Sequence, residues 1–376
     1  MSVPAAESLT APVRDRPVLT VSLAAIGMNW RTLKDAAPTA EMAAVVKADG
    51  YGLGAVPATA KLRAMGCETF FVATHDEASA IRTAAGQSRI FVLNGFPPGG
   101  AASFAADGLI PVLNSLDEAR DWAALGGRRA CALHIDTGLN RAGLSTPELD
   151  ALTADPALLA RLDLALVMSH LACSDDAGHP QNAHQLARFK AALTRLPAAP
   201  ASLASSAGVF LGADYHFDLI RPGIALYGGH PLAHGPNPMR AAAVLTADVL
   251  GVRTIQPGEP AGYGATFTAT RETRLAVCNI GYADGIPRAL SNRGVAFIGD
   301  TPCPYAGRVS MDLLTIDVSN LPASEVGRGT EVEIIGPHMT VEDMATRAGT
   351  ANYEILTGLG SRFTRLTTDS HWTRIV

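Results

Sequence analysis

Short apolar runs recur through roughly the first 230 residues, separated by Ala-rich stretches with helical spacing. Eight runs read as strands: 42–47 (MAAVVK), 69–74 (TFFVAT), 89–94 (RIFVLN), 110–114 (IPVLN), 130–136 (ACALHID), 163–169 (DLALVMS), 200–206 (PASLASS) and 217–221 (FDLIR). Helical stretches lie between them near 55–66, 76–86, 98–107, 116–126, 147–160 and 180–196, with the last two gaps weaker. Alternating strands and helices, with strands apolar on both faces, give a parallel sheet. Eight such units are the number in a (β/α)8 barrel of the TIM type. A doubly wound open sheet is the competing arrangement. After about residue 238 the pattern changes. Segments 242–254, 262–270, 274–280, 294–299, 313–317 and 331–335 are strand-like and joined by Gly/Pro turns, and only 340–348 reads as a helix. The expected organisation is α/β plus β: a barrel over 14–238 and a mostly-β domain over 239–376. The strand-like segment 17–22 (PVLTVS) precedes the barrel and could pair with the second domain instead.

Composition narrows the function. The 376 residues are 48% apolar with a net charge of −5, which excludes disorder and disfavours a nucleic-acid binder with a basic face. No apolar run is long enough to span a membrane, and the first sixteen residues carry no apolar core of a secretory signal. Five scattered cysteines without CxxC spacing fit a reduced, cytoplasmic protein. His170, Asp175, Asp176 and His179 match no standard zinc spacing, so no metal is expected.

Only four of the 30 basic residues are Lys: Lys34, Lys47, Lys61 and Lys190. Three lie in polar, helix-like surroundings. Lys47 ends the apolar run Ala43-Ala44-Val45-Val46. A desolvated Lys can lose its proton and act as base or nucleophile, which Arg cannot readily do. Barrel active sites lie at the C-terminal ends of the strands. Lys47, the Asp136–Arg141 segment, Ser169-His170, Ser205-Ser206 and Arg221-Pro222-Gly223-Ile224 all fall there. A Lys at a strand end can form a Schiff base with an aldehyde, and hydroxyls with Gly-flanked N–H groups can hold a phosphate. An aldehyde that carries its own phosphate is pyridoxal 5′-phosphate. Schiff-base aldolases are the alternative, although their Lys usually comes late in the barrel. Taken singly, each residue has a plainer reading: Arg141 and Arg221 as surface ion pairs, His170 as a core or capping histidine.

Val45-Val46-Lys47-Ala48-Asp49-Gly50-Tyr51-Gly52 resembles the cofactor-lysine motif of alanine racemases, fold type III enzymes of pyridoxal phosphate. Five further segments are similar to that family: Asp136–Arg141, Arg221–Gly228, Gly281–Gly285, Gly307–Asp312 and Asn352–Leu356. The resemblance implies that Lys47 carries the cofactor and is the base on one face of the substrate. Tyr282 of the partner subunit is then the base on the other face. Arg221 faces the pyridine nitrogen, and His170 links it to Tyr282. Tyr51, Ser206, Gly223, Ile224 and Tyr353 hold the phosphate. Arg141 and the partner's Met311 contact the substrate carboxylate. The implied activity is interconversion of L- and D-alanine, supplying peptidoglycan, by an obligate homodimer with composite sites. Two bases flanking a planar intermediate suit racemisation, and an Arg at the pyridine nitrogen makes a weaker electron sink than an acid partner would.

Three positions depart from the family. Where it often has a carbamate-modified Lys, the residue is His134, leaving His134 itself, a water or an anion to position Arg141. Ser205 replaces an Asn beside the phosphate, and Ser202 replaces a His that supports the pyridine-facing Arg. Competing functions are a broad-specificity, serine or lysine racemase, a decarboxylase of the same fold type, and a non-catalytic pyridoxal phosphate carrier. Tyr282 and the second domain disfavour the carrier, and Arg221 disfavours the decarboxylase.

Overall fold

A computed structural model describes residues 15–370. Residue 14, the end of the second domain at 371–376 and nearly all of the segment inspected for a leader lie outside the described residues.

The first barrel strand is Glu41–Met42 and Ala44–Val45, interrupted at Ala43. The next six follow as Thr69–Val72, Arg89–Val92, Ile110–Leu113, Arg129–His134, Leu162–Met168 and Ala201–Ser202, and the eighth is Leu219–Ile220. Seven pair in parallel, in sequence order. The eighth closes the ring. Leu219–Ile220 pairs with Glu41–Met42, Ala43 N–H donates to Ile220 C=O, and Arg221 N–H donates to Ala204 C=O. The strands form because they are buried on both faces: Phe70, Phe71, Val72, Ile90, Phe91 and Val92 are all sealed from solvent. Phe71 and Phe91 stack with ring centroids 4.8 Å apart.

The strands are shorter than the apolar runs suggest. Lys47 lies two residues beyond the end of Ala44–Val45, and Ser205 and Ser206 lie beyond Ala201–Ser202. Helices follow the first six strands, the fifth connection carrying two, Thr146–Thr153 and Pro156–Leu159. The gap between the seventh and eighth strands holds only the 3₁₀ turns Gly208–Leu211 and Ala213–Tyr215. A further helix comes from ahead of the barrel: Leu23–Ala36, capped by Ser22, packs against Ala55–Ala64 and the turn Ile224–Tyr227.

Val18–Ser22 pairs antiparallel with Ala243–Ile255 and parallel with Thr364–Thr368, so it belongs to the sheet of the second domain. Ala243–Ile255 bends at a register shift between Val249 and Gly251. Its first half pairs with Glu331–Ile335 and its second with Thr273–Cys278. Val295–Ile298, Thr301–Pro304 and Leu314–Asp317 complete the circuit through a Tyr305–Ile316 bridge. Two short helices, Val341–Ala348 and Asn352–Thr357, follow. Segment 262–270 is not one strand: a turn at Tyr263–Ala265 separates Pro260–Ala261 from Phe267–Thr268.

Candidate active site

Lys47 stands at the start of an unusual turn. Ala48, Asp49 and Gly50 adopt left-handed helical angles, with φ of 53°, 50° and 62°, and Tyr51 follows at 54°. Each non-Gly residue held there costs on the order of 1–2 kcal/mol, so the surroundings must impose the shape. Glu77 Oε1 accepts the Ala48 N–H at 2.7 Å, while its Oε2 accepts from Ala73 in the capping of the next helix. Asp49 Oδ1 accepts the Ala55 N–H. Gly52 runs so close to the helix Asn352–Thr357 that a Cβ on it would lie 2.1 Å from the Leu356 carbonyl oxygen. Arg365 donates to the Gly52 carbonyl at 2.7 Å. The second domain thus clamps the turn that carries Lys47 and Tyr51.

A cavity of about 530 Å³ opens at the barrel mouth, a size typical of small-molecule sites. Lys47, Tyr51, His134, Arg141, His170, Ser205, Ser206, Arg221, Gly223, Ile224 and Tyr353 all line it. The structure therefore brings together every barrel residue to which the resemblance gave a cofactor or substrate role, while Asp136, Ser169 and Ser202 lie behind the lining, and Tyr353 reaches the cavity from the second domain of the same chain.

One end of the cavity gathers hydroxyls and backbone N–H groups. Ser206 Oγ accepts from Gly223 N–H at 2.9 Å and Ala225 N–H at 3.3 Å, fixing the start of the turn Ile224–Tyr227. Tyr51 stacks on Tyr227, with centroids 4.9 Å apart, and its Oη presses on Gly223, where a Cβ would lie 2.0 Å away. Burial pushes the Tyr51 and Tyr353 hydroxyls above their ordinary range, so both remain donors.

Cations occupy the other end. Arg221 is only 4% exposed. Nη1 donates to Ser202 Oγ, Nη2 donates to the Ser169 carbonyl at 2.7 Å, and Ser202 Oγ in turn donates to Leu219 C=O. The short Ser202 therefore supplies the support that the missing histidine had left open. Phe71 lies beneath the guanidinium, 6.0 Å from ring centroid to Cζ. Burial lowers the Arg221 guanidinium to about 9, which leaves it charged at neutral pH. Lys47 is pushed below its ordinary range by burial and by the Arg141 charge, against a smaller opposing effect of Glu77. Burial and the Arg221 charge hold His170 down to about 3, so its imidazole is neutral.

Tyr282 and Met311 are not in the cavity. They sit together on the second domain, 42% and 53% exposed. Tyr282 N–H donates to the Ser310 carbonyl and Ala283 N–H to the Met311 carbonyl, both at 2.9 Å. Asp284 Oδ2 accepts the Gly281 N–H and braces the turn from below. Among the described residues no group of His, Cys, Asp and Glu could hold a metal ion, and no helix is long and apolar enough to cross a membrane.

Comparison with known proteins now decides the family. The alanine racemase N-terminal domain family matches residues 21–231, and the alanine racemase C-terminal domain family matches 242–367. The chain belongs to the alanine racemase family. It is therefore an amino-acid racemase by class. It is 50% identical to the catabolic alanine racemase of Agrobacterium fabrum over 92% of this chain and 91% of that protein. Identity to the alanine racemase of Rhodospirillum rubrum is 47%, over 94% and 96% of the two chains. A solved alanine racemase from Bartonella henselae, with covalently bound pyridoxal phosphate, superposes with a TM-score of 0.91 at 40% identity, covering 94% of this chain and 99% of that one.

Sequence reasoning missed three parts of this racemase site: Asn114 and Thr357, which also line the cavity, and Glu77. Glu77 had a signal, since Thr74-x-x-Glu77 is a capping-box pattern. Asn114 had one too, since it ends the apolar run 110–114 at the barrel mouth; Thr357 had none.

Proposed function

We propose that this chain interconverts L- and D-alanine with pyridoxal 5′-phosphate, using Lys47 and Tyr282 of the partner subunit as the two bases. The observation that carries the reading is a cavity with a pKa-lowered lysine at one end and a cluster of hydroxyl and N–H donors at the other. Those are the two ends that an aldehyde phosphate requires. Tyr51, Ser206, Gly223, Ile224 and Tyr353 hold the phosphate, Lys47 holds the aldehyde carbon, and Arg221 faces the ring nitrogen. When bound, the cofactor supplies the electron sink that makes an amino-acid α-proton acidic.

The protein's part is placement and proton transfer. Arg141 orients the substrate carboxylate, so that the α-proton lies between two bases. Lys47, pushed towards its neutral form, takes or returns the proton on its face. Arg221 keeps a fixed positive charge against the ring nitrogen, which disfavours protonation there and restrains the sink. Tyr282 and Met311 stand exposed together on the second domain, outside the cavity of their own chain. A homodimer in which each second domain covers the other barrel mouth supplies both. The barrel within 14–238, less the strand Val18–Ser22, and the β domain at 239–376 are then the two halves of a composite site. The cellular reading is a cytoplasmic enzyme that supplies D-alanine to peptidoglycan. A D-alanine requirement on deletion of the gene checks it. Growth without D-alanine, but not on alanine as sole nitrogen source, would favour the catabolic role named for the Agrobacterium relative.

Mixing two inactive chains tests the site itself. Lys47→Ala and Tyr282→Phe chains, unfolded and refolded together, should regain about a quarter of wild-type activity, because half the dimers carry one intact composite site. No recovery, with dimers present by sedimentation, would place both bases within one chain. No racemisation by the wild type with any amino acid would end the racemase reading.

A further inference from the structure

His134 replaces the lysine that the family often carries, and the hydrogen bonds around it fix its chemistry. Asn114 uses both Nδ2 hydrogens on main-chain carbonyls, Leu93 at 3.0 Å and Val112 at 2.8 Å. The reverse amide orientation would set Oδ1 against two carbonyl oxygens. Asn114 Oδ1 can therefore only accept. The atom facing it, 2.8 Å away, is His134 Nδ1. The proton must sit on Nδ1, and a neutral His134 then carries a bare lone pair on Nε2.

The ring is held from other sides as well. The loop after it turns back: Leu144 N–H donates to the His134 carbonyl at 2.7 Å, and Asp136 N–H donates to the Leu144 carbonyl at 3.0 Å. Asp136 Oδ1 gathers the N–H groups of Gly138, Leu139 and Asn140. Gly143, at φ +101°, lays its backbone on the imidazole, where a Cβ would lie 3.0 Å from Cγ and from Cδ2. Only a glycine permits both that angle and that approach. Arg141 is carried by the same loop, two residues earlier, and both Arg141 and His134 line the cavity. Burial and the Arg221 charge hold the imidazole at about 4, so it stays neutral through the physiological range. Among the described residues no group hydrogen-bonds Nε2.

We propose that His134 is a positioning residue: locked by Asn114 as the Nδ1–H tautomer, it holds Nε2 open as a fixed, neutral acceptor onto which the Arg141 guanidinium turns when substrate is bound. A lone pair at that point turns away an anion, so Arg141 needs neither a halide nor a carbon dioxide adduct beside it. The inference rests on the reading of Arg141 as the carboxylate-binding group.

The test begins with the spectrum of the side chain. In the full-length holoenzyme labelled with ¹⁵N-histidine, and assigned by loss of the signal in His134→Gln, His134 should show the neutral Nδ1–H pattern from about pH 6 to 9. An Nε2–H or doubly protonated ring would overturn the proposal. His134→Leu should raise KM for alanine about tenfold with a smaller change in kcat, the size of one lost charge-assisted hydrogen bond. His134→Gln, which returns an acceptor near the Nε2 position, should recover most of the loss. Wild-type KM should not change when chloride is replaced by gluconate or bicarbonate is purged, and dependence on either would also overturn it. Arg141→Lys separates the two readings. If it raises KM while His134→Leu does not, the positioning role fails alone. If neither moves KM, the assignment of Arg141 fails.

Discussion

On the barrel side of the site, the bracing polar groups have partners within the same chain. Arg221 is locked between Ser202 and the Ser169 carbonyl, Ser206 sits between two N–H groups, and His134 is tied to Asn114. On the other side, the Gly281–Gly285 turn is braced from within by Asp284, yet it holds the Tyr282 side chain out into solvent beside Met311. That structured turn displays a tyrosine, and a methionine beside it, rather than burying them. The contrast teaches that preorganisation and exposure divide the labour. The barrel mouth is braced by bonds within one chain, whereas the Tyr282 turn is braced only at its backbone and leaves its side chain open, as the proposed composite site requires.

The sharpest way to break this contrast is to remove one base from each half. Lys47→Ala should abolish racemisation, by about 10³-fold or more, together with the covalent attachment that gives the cofactor its bound absorbance. Tyr282→Phe should cost on the order of 10²–10⁴-fold in racemisation but leave the bound absorbance intact. In D2O its α-proton exchange should survive from one enantiomer only. Exchange lost equally from both, followed by proton NMR, would mean that the displayed tyrosine is not a separate base.

A smaller effect probes the finished half. Gly223→Ala sets a methyl against Tyr51 Oη, with a built distance of 2.0 Å. Displacing a stacked, buried tyrosine costs about 1–3 kcal/mol, so cofactor affinity should fall roughly 10- to 100-fold. Absorbance titration of the apoenzyme measures it, and an unchanged affinity would detach Tyr51 from the cofactor site. Ser202→Ala should lower stability by about 1–3 kcal/mol, because it strands a buried guanidinium N–H. Calorimetry should record this as a drop of a few degrees in Tm, with KM for alanine nearly unaltered.

The chain's pattern reveals some of this and hides the rest for physical reasons. Barrel strands such as Phe70-Phe71-Val72 are readable because burial on both faces leaves an unbroken apolar run. Lys47 stands out because three other lysines have plainly polar surroundings. Leu23–Ala36 was missed as a helix, since the barrel pattern leads one to seek its eighth helix after a strand rather than before the first. The left-handed turn at Ala48–Tyr51 leaves no periodic trace; it exists because Glu77, Asp49 and the distant Leu356 and Arg365 hold it. Asn352–Thr357 is six residues long, too short for helical periodicity, and yet it brings Tyr353 to the cavity. Thr301–Pro304 contains two prolines and reads as a turn, which is tolerable because it pairs at one end of its sheet.

The weakest expected effect contrasts the histidines of the two halves. His134 and His170 are buried among cations and held at about 4 and about 3. His338, in the second domain, lies between the carboxylates of Glu333 and Asp300, each 3.0 Å away, and is raised above its ordinary value. The consequences for stability have opposite signs. The unfolded chain binds protons at positions 134 and 170 below about pH 6.5 that the folded chain refuses, so their contribution is lost as pH falls from there towards the folded values. His338 contributes most below its unfolded pKa and loses that contribution as pH rises through its raised folded one. Its effect is the smaller because the imidazole and Asp300 are open to solvent and screened. Denaturant midpoints of the wild type and of His338→Gln across pH 5–9 should therefore differ slightly at the acid end and converge at the alkaline end. Convergence at the acid end instead would mean that the imidazole has no electrostatic hold on its two carboxylates. The contrast between a cationic barrel mouth and an acid-lined β surface would then fail at its second term.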